Sequence, residues 1–200
     1  MLVEGEGLDG NGLVMEKVEL WRHDPVECIK ELFSNPAFKD KIQYKPREVY
    51  TDGSRTEQVY GKMWMGKWWW EIQVSCFKVR DRKNAHLIDT EQKLLPDGTT
   101  VASVIIGSDK TNLTGFSGDK FAWPVYITVG NIDKAVRRKP SENAVILLGY
   151  LPVSKLDKIL PSAKSALQHQ LFHNCMKELL QPLVKAGANG VEILCSDGKV

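Results

Sequence analysis

Val101-Ala-Ser-Val-Ile-Ile-Gly-Ser-Asp109, Trp123-Pro-Val-Tyr-Ile-Thr-Val129 and Ala144-Val-Ile-Leu-Leu-Gly-Tyr150 are three runs rich in β-branched, aliphatic and aromatic residues. Such residues pack well on a pleated, half-buried surface, so each run reads as a strand. Gly115, Gly118, Gly130, Asn131 and Pro140 stand between them, where turns need them. No connector reads as a crossover helix, so the economical arrangement is an antiparallel meander with strands near 101–107, 122–130 and 144–150 paired in chain order. Pro124 is tolerable at a strand end or edge.

Downstream, Leu167, Leu171, Cys175, Leu179 and Leu183 recur every four residues, and Phe172, Met176, Leu180 and Val184 widen the stripe. This predicts a long helix over about 163–186, capped by Ser162, kinked at Pro182, ended by Gly187 and covering one face of the sheet. Val191–Cys195 then reads as a strand entering the turn Ser196-Asp197-Gly198, and the chain is expected to stop partway through a longer unit. Strands followed by a long helix place the chain in the α/β (α+β) class.

Upstream, Asp24-Pro25-Val26-Glu27 combines a capping carboxylate, a proline at the first helical position and a glutamate that can reach back. A short helix over 25–34 follows, with Val26, Ile29, Leu32 and Phe33 on one face, stopped by Asn35-Pro36. Thr51-Asp52-Gly53-Ser54 is a turn signal. Tyr60, Met63, Trp64, Trp68, Trp69 and Trp70 then concentrate aromatic surface beside Lys62 and Lys67. That composition suits either a stacking platform for single-stranded nucleic acid or a packing plug.

With 42% hydrophobic and 26% charged residues, the 200-residue chain has the balance of a globular protein, which excludes wholesale disorder and a coiled coil. No uncharged stretch exceeds twelve residues, and one of that length, Phe121–Ile132, contains Pro124; all are too short to span a bilayer. The amino terminus MLVEGEGLDG is acidic and lacks the pattern of a secretory or mitochondrial signal, so an intracellular location is expected. Cys28, Cys76, Cys175 and Cys195 are widely spaced and read as free thiols. A net charge of +2 permits a basic patch without demanding a nucleic-acid partner.

Asp109 ends its strand where side chains can face a cleft. Its carboxylate could hold a hard divalent cation or simply order the turn Ser108-Asp109-Lys110-Thr111. Asp119 is a weaker candidate of the same kind. His169 and His173 have i, i+4 metal spacing, but Gln170 stands where a zinc-protease helix carries glutamate. Lys134, Arg137, Arg138 and Lys139 form the densest basic run, suited to clamping phosphates or to a solvated turn. There is no GxxxxGK[ST] loop or GxSxG elbow to support nucleotide hydrolysis or serine hydrolysis.

VELWRHDPVECIKELFSNPAF, VYGKMWMGKWWWEIQ, the long block from VIIGSDKTNLTGFSGDKFAWPVYITVGNI through LLGYLPVSKL, and LFHNCMKELLQPLVKAGANGVEILCSDGKV together closely resemble the Plavaka family of fungal transposases, within the CACTA-like DNA transposons. The resemblance runs from about Val18 to Val200. It implies an RNase H-like fold, a nuclear location, DNA transposon ends as partner, possible oligomers and a site of acidic residues holding two Mg²⁺ ions for strand cutting and joining. Asp109 matches the first acid in position; Asp197 is the late carboxylate at a strand end, although its Asp-Gly context also suits a plain turn. On this resemblance the basic run Lys134, Arg137, Arg138 and Lys139 would contact DNA.

The resemblance also organises the chain into a helical, Trp-rich leader over 1–73, an insertion over 74–89 and the first part of an RNase H-like domain over 90–200. Relatives pass almost directly across the place of Val74–Asp89, a polar, aperiodic segment whose opening Val74-Ser75 is what a GTGAGT splice donor encodes; a translated intron forming a surface excursion is the expectation. With one matched acid, the chain is expected to be a fragment that cuts nothing by itself. The alternative is a non-catalytic remnant or domesticated module that binds DNA or protein.

Overall fold

The computed structural model describes residues 2–6, 8, 12–80, 99–113 and 120–199, with the side chains of 2, 3, 5, 6 and 74–80 left out of the description. In chain order the elements are β1 (Leu2–Glu6), β2 (Leu13–Lys17), β3 (Trp21–Arg22), α1 (Pro25–Ser34), α2 (Lys67–Arg80), β4 (Val104–Ser108), β5 (Thr111–Asn112), β6 (Phe121–Ala122), β7 (Pro124–Val129), α3 (Lys134–Arg137), β8 (Ile146–Tyr150) and α4 (Pro161–Asn189). Helix α1 has the boundaries its cap predicts: Asp24 Oδ1 accepts from Val26 N at 2.7 Å, and Ile29, Leu32 and Phe33 are buried together with Cys28.

The chain divides into two compact units, one built from Met1–Cys28, Ile106–Ile127 and Ile146–Val191, the other from Ile29–Ile105, Thr128–Val145 and Glu192–Val200. Among the described residues the main sheet is antiparallel with strand order β3-β8-β7-β4. The three predicted strands are therefore neighbours in chain order, and a two-residue strand, β3, joins the edge beside β8. In the first unit, Val125↔Gly149 and Ile127↔Ile146 are register partners, with an irregularity between Val125 and Tyr126. Val125 and Ile127 are fully buried, as a central strand requires. Gly149 admits the close approach of β3, because a Cβ there would run into the Trp21 carbonyl oxygen.

The same unit carries a β1–β2 hairpin in register Leu2↔Lys17 and Glu6↔Leu13, where the sequence reading placed no element before Asp24. Its Gly-interrupted, acidic alternation hides the strand signal, and pairing with a neighbour supplies what propensity lacks. Helix α4 buries Leu171, Cys175 and Leu179, the middle of the predicted stripe, while Val184 is 72% exposed. The helix is longer than expected. Leu160 occupies the N-cap, so Ser162 lies in the first turn instead of capping it; Gly187 is internal, and Gly190 with φ +73° ends it.

In the second unit, Trp64, Met65 and Trp69 form a buried cluster against which Val49, Trp68 and Val101 pack. The tryptophan run is thus a packing plug in this unit. The Asp52 turn forms as its sequence predicts, with Tyr50↔Gln58 bridged across it and the Asp52 carboxylate accepting from Ser54 and Thr56 hydroxyls. Helix α2 continues through Val74–Arg80, so the first part of the segment expected to be aperiodic is helical; residues 81–89 of that segment lie outside the described residues. Ser196–Gly198 make the expected turn, with Gly198 at φ +85°, but Val191–Cys195 form no strand among the described residues. A strand needs a ladder partner, and Ser196 N instead donates to Phe33 O at 2.7 Å.

The second unit also buries a polar network. Asn131 is fully buried; its Oδ1 accepts from Ser103 N at 2.9 Å, and its Nδ2 donates to Gln43 O and Val101 O, each at 3.0 Å. The Asn131 carbonyl accepts from Gln43 N at 2.9 Å, and Gly130 N donates to Ser103 O at 2.7 Å. Val101–Ser103, read from sequence as the start of a strand, are held in this network, so β4 begins at Val104.

Candidate functional site

Strand β4 ends at Ser108, whose hydroxyl donates to Pro124 O at 2.9 Å. That bond closes the strand and leaves Asp109 exposed just beyond it. Beside Asp109, the Lys110 ammonium lies 4.5 Å from the centroid of the Phe121 ring, an approach that keeps the cation over an aromatic face. Asp119 lies outside the described residues.

Lys110 lines a cavity of about 450 Å³ that lies wholly within the first unit. Trp123, between β6 and β7, and Phe172 of α4 form one wall, stacked at 5.3 Å with 23° between ring planes. His173 meets the Phe172 ring edge-on at 5.5 Å. Leu151, Leu171 and Gln168 add to the lining. The α4 periodicity brings 168, 169, 172 and 173 to this wall, and the buried Leu171 and Cys175 line it as well. His169 and His173 thus share a cavity, and burial pushes the Cys175 thiol upward, away from thiolate character.

The basic run lies in the second unit. Asp133 caps α3 by accepting from Ala135 N at 2.9 Å, which orients the helix that carries Lys134. The Asp133 carboxylate also pairs with the Lys62 ammonium, which holds its pKa below the ordinary carboxylate range. Lys134, Arg138 and Lys139 are exposed. Arg137 is half-buried, and its Nε donates to Ile132 O at 3.1 Å; burial lowers its pKa, with Asp133 opposing. Three cations of the run are available to a polyanion, and the fourth is committed to the fold.

Asp197 is engaged inside its own turn, where Oδ1 accepts from Lys199 N at 3.2 Å and Oδ2 lies 3.6 Å from Lys199 Nζ. It belongs to the second unit and Asp109 to the first. Among the described residues no group of three or more His, Cys, Asp or Glu side chains is disposed to hold a metal ion. Two Mg²⁺ ions about 3.5–4 Å apart need several carboxylate oxygens, so the described residues do not fit a two-ion site, and no cleavage step is assigned to them. No helix among the described residues is long and apolar enough to cross a membrane.

Sequence reading missed the cavity because its walls came from two patterns read separately, Trp123 as the start of a strand and Phe172 as the edge of a helical stripe. The model of one protein family, the Plavaka transposases, matches residues 3–200. No curated protein and no solved structure matches. A match over nearly the whole chain, spanning the Asp109 strand end, the aromatic cavity and the basic α3 connector, shows that the chain belongs to the Plavaka transposase family.

Proposed function

We propose that the chain is the DNA-holding part of a transposase, gripping the sugar-phosphate backbone through Lys134, Arg138 and Lys139, with Arg137 fixing the loop that presents them. The observation that carries this is the exposure of Lys134 on the capped helix α3 and of Arg138 and Lys139 directly after it, in a chain of a transposase family. Membership in the family implies DNA binding in general. Transposon ends as the particular DNA, the nucleus as the compartment, and an RNase H-like frame belong to this proposal. Three antiparallel strands followed by a long helix support that frame.

In a complete enzyme, Asp109 would serve as one carboxylate of a Mg²⁺ site, where the ions would supply an activated nucleophile and stabilise the leaving oxygen. A second reading beside this one is a module that binds DNA without cutting it, since among the described residues no group of three or more His, Cys, Asp or Glu side chains is disposed to hold a metal ion.

Both readings expect salt-sensitive DNA binding. Three phosphate contacts give a slope of about −2.7 in log K against log[salt], readable by fluorescence anisotropy with duplex DNA. Replacing Lys134, Arg138 and Lys139 with alanine should abolish most of that slope. An unchanged slope overturns the assignment. Incubation with supercoiled plasmid and Mg²⁺ or Mn²⁺ should leave the plasmid intact. Nicking that disappears in Asp109→Ala would instead establish a working site within this chain.

A further inference from the structure

From the cavity walled by Trp123 and Phe172 we infer that the first unit holds a pocket for an unpaired nucleobase of a DNA strand, turned out of the helical stack. The inference rests on the DNA-holding reading above and deepens it by naming a second site with its own ligand chemistry.

The volume of about 450 Å³ lies in the range of about 300–1,000 Å³ usual for small-ligand sites. The lining is largely apolar, and the stacked pair at 5.3 Å gives a flat π surface, which every base can use because every base has a π face. Trp123 and Phe172 are only partly buried, so their rings are accessible from solvent. Gln168, exposed on α4, offers an amide that both donates and accepts, as the edge of a base requires. Lys110 places a cation at the lining, positioned for the phosphate next to the base. An apolar peptide side chain would use the rings but would offer no anion to Lys110 and no polar edge to Gln168. The charge and the amide therefore favour a nucleotide unit.

Asp109 adjoins Lys110 in sequence, so a base held here would anchor the strand near the carboxylate at the end of β4. Unstacking is least costly at an already unpaired base.

The test uses the 200-residue chain with short duplexes of one length, fully paired or carrying a central mismatch, and with 2-aminopurine at the mismatched position. The mismatched duplex should bind about tenfold more tightly, the order expected when one base gains an aromatic stack, and the 2-aminopurine emission should fall on binding. Phe172→Leu keeps apolar bulk but breaks the stacked pair by removing one of its two rings, and should bring the two affinities together. Gln168→Ala, at an exposed position whose loss leaves the buried stripe intact, should narrow the preference, with circular dichroism confirming the fold of both variants. If paired and mismatched duplexes bind equally, with salt dependence, the pocket assignment fails while the DNA-holding reading stands. If neither duplex binds, both fail. A preference for the mismatch that survives Phe172→Leu in the folded variant also overturns the pocket.

Discussion

Replacing Asn131 should unfasten the centre of the second unit. The side chain is fully buried and makes three hydrogen bonds, from Ser103 N at 2.9 Å and to Gln43 O and Val101 O at 3.0 Å. Asn131→Ala removes the acceptor of a buried backbone N–H and the donor of two carbonyls. Each group left unsatisfied costs about 1–3 kcal/mol, less where water enters the space vacated. With the small cavity included, the expected destabilisation is about 3–5 kcal/mol, a large fraction of a typical folding free energy of about 5–15 kcal/mol. Urea denaturation of parent and variant at equal pH measures it, and hydrogen exchange at the Ser103 amide locates it. Asn131→Asp sharpens the test: it keeps the acceptor for Ser103 N but turns a carboxylate oxygen toward two carbonyls. Burial and that repulsion raise the aspartate pKa in the folded state, so the folded form binds more protons than the unfolded one. Its stability therefore rises as pH falls from neutrality toward about 4, opposite to an ordinary paired carboxylate. If Asn131→Ala lies within about 1 kcal/mol of the parent, the network does not hold the unit and the reasoning is refuted.

Trp69 is fully buried, yet its Nε1 has no hydrogen-bond partner among the described residues; Trp69→Ala should cost about 3–5 kcal/mol, whereas Trp69→Phe, which also deletes an unsatisfied donor, should cost far less in the same urea titration. Gly149→Ala should separate β3 from β8, because the new Cβ meets the Trp21 carbonyl oxygen; a loss of about 2 kcal/mol and faster exchange at His23 N, which donates to Leu148 O at 2.8 Å, are the expected readouts. Lys62 holds the Asp133 pKa below the ordinary carboxylate range, so the pair contributes at neutral pH and its contribution is lost as pH falls through the lowered value. With both side chains partly solvated, Asp133→Asn should cost less than about 1 kcal/mol at pH 7 and nothing in strong acid; a variant equally destabilised at both ends of the pH range would contradict the pairing.

The boundaries of α1 and the i, i+4 stripe of α4 were legible in the sequence because both depend on local rules. A capping aspartate before proline satisfies orphan amides within one turn, and a four-residue period is a property of the helix itself. The neighbour order of the three central strands was legible for a related reason, since short turn-rich connections leave few alternatives to pairing in sequence order. The family, too, was carried by linear motifs. Asp109 was legible as a strand-end carboxylate, and the structure leaves it there, exposed.

Other features needed the folded chain. The β1–β2 hairpin has weak strand propensity and exists through its pairing, while Val191–Cys195 has strong propensity but no ladder partner among the described residues, where it forms no strand. Arg137 looks like its neighbours Arg138 and Lys139 in sequence. Only the Ile132 carbonyl within its reach sets it apart as a structural cation. Asn131 reads as a turn residue, and the backbone groups that converge on it come from Gln43, Val101 and Ser103, far away in the chain. The aromatic cavity likewise joins Trp123 to Phe172 across nearly fifty residues of sequence. Local chemistry determined where elements begin and which faces they bury; tertiary structure decided which polar and aromatic groups meet, because those meetings depend on long-range contacts that no local pattern encodes.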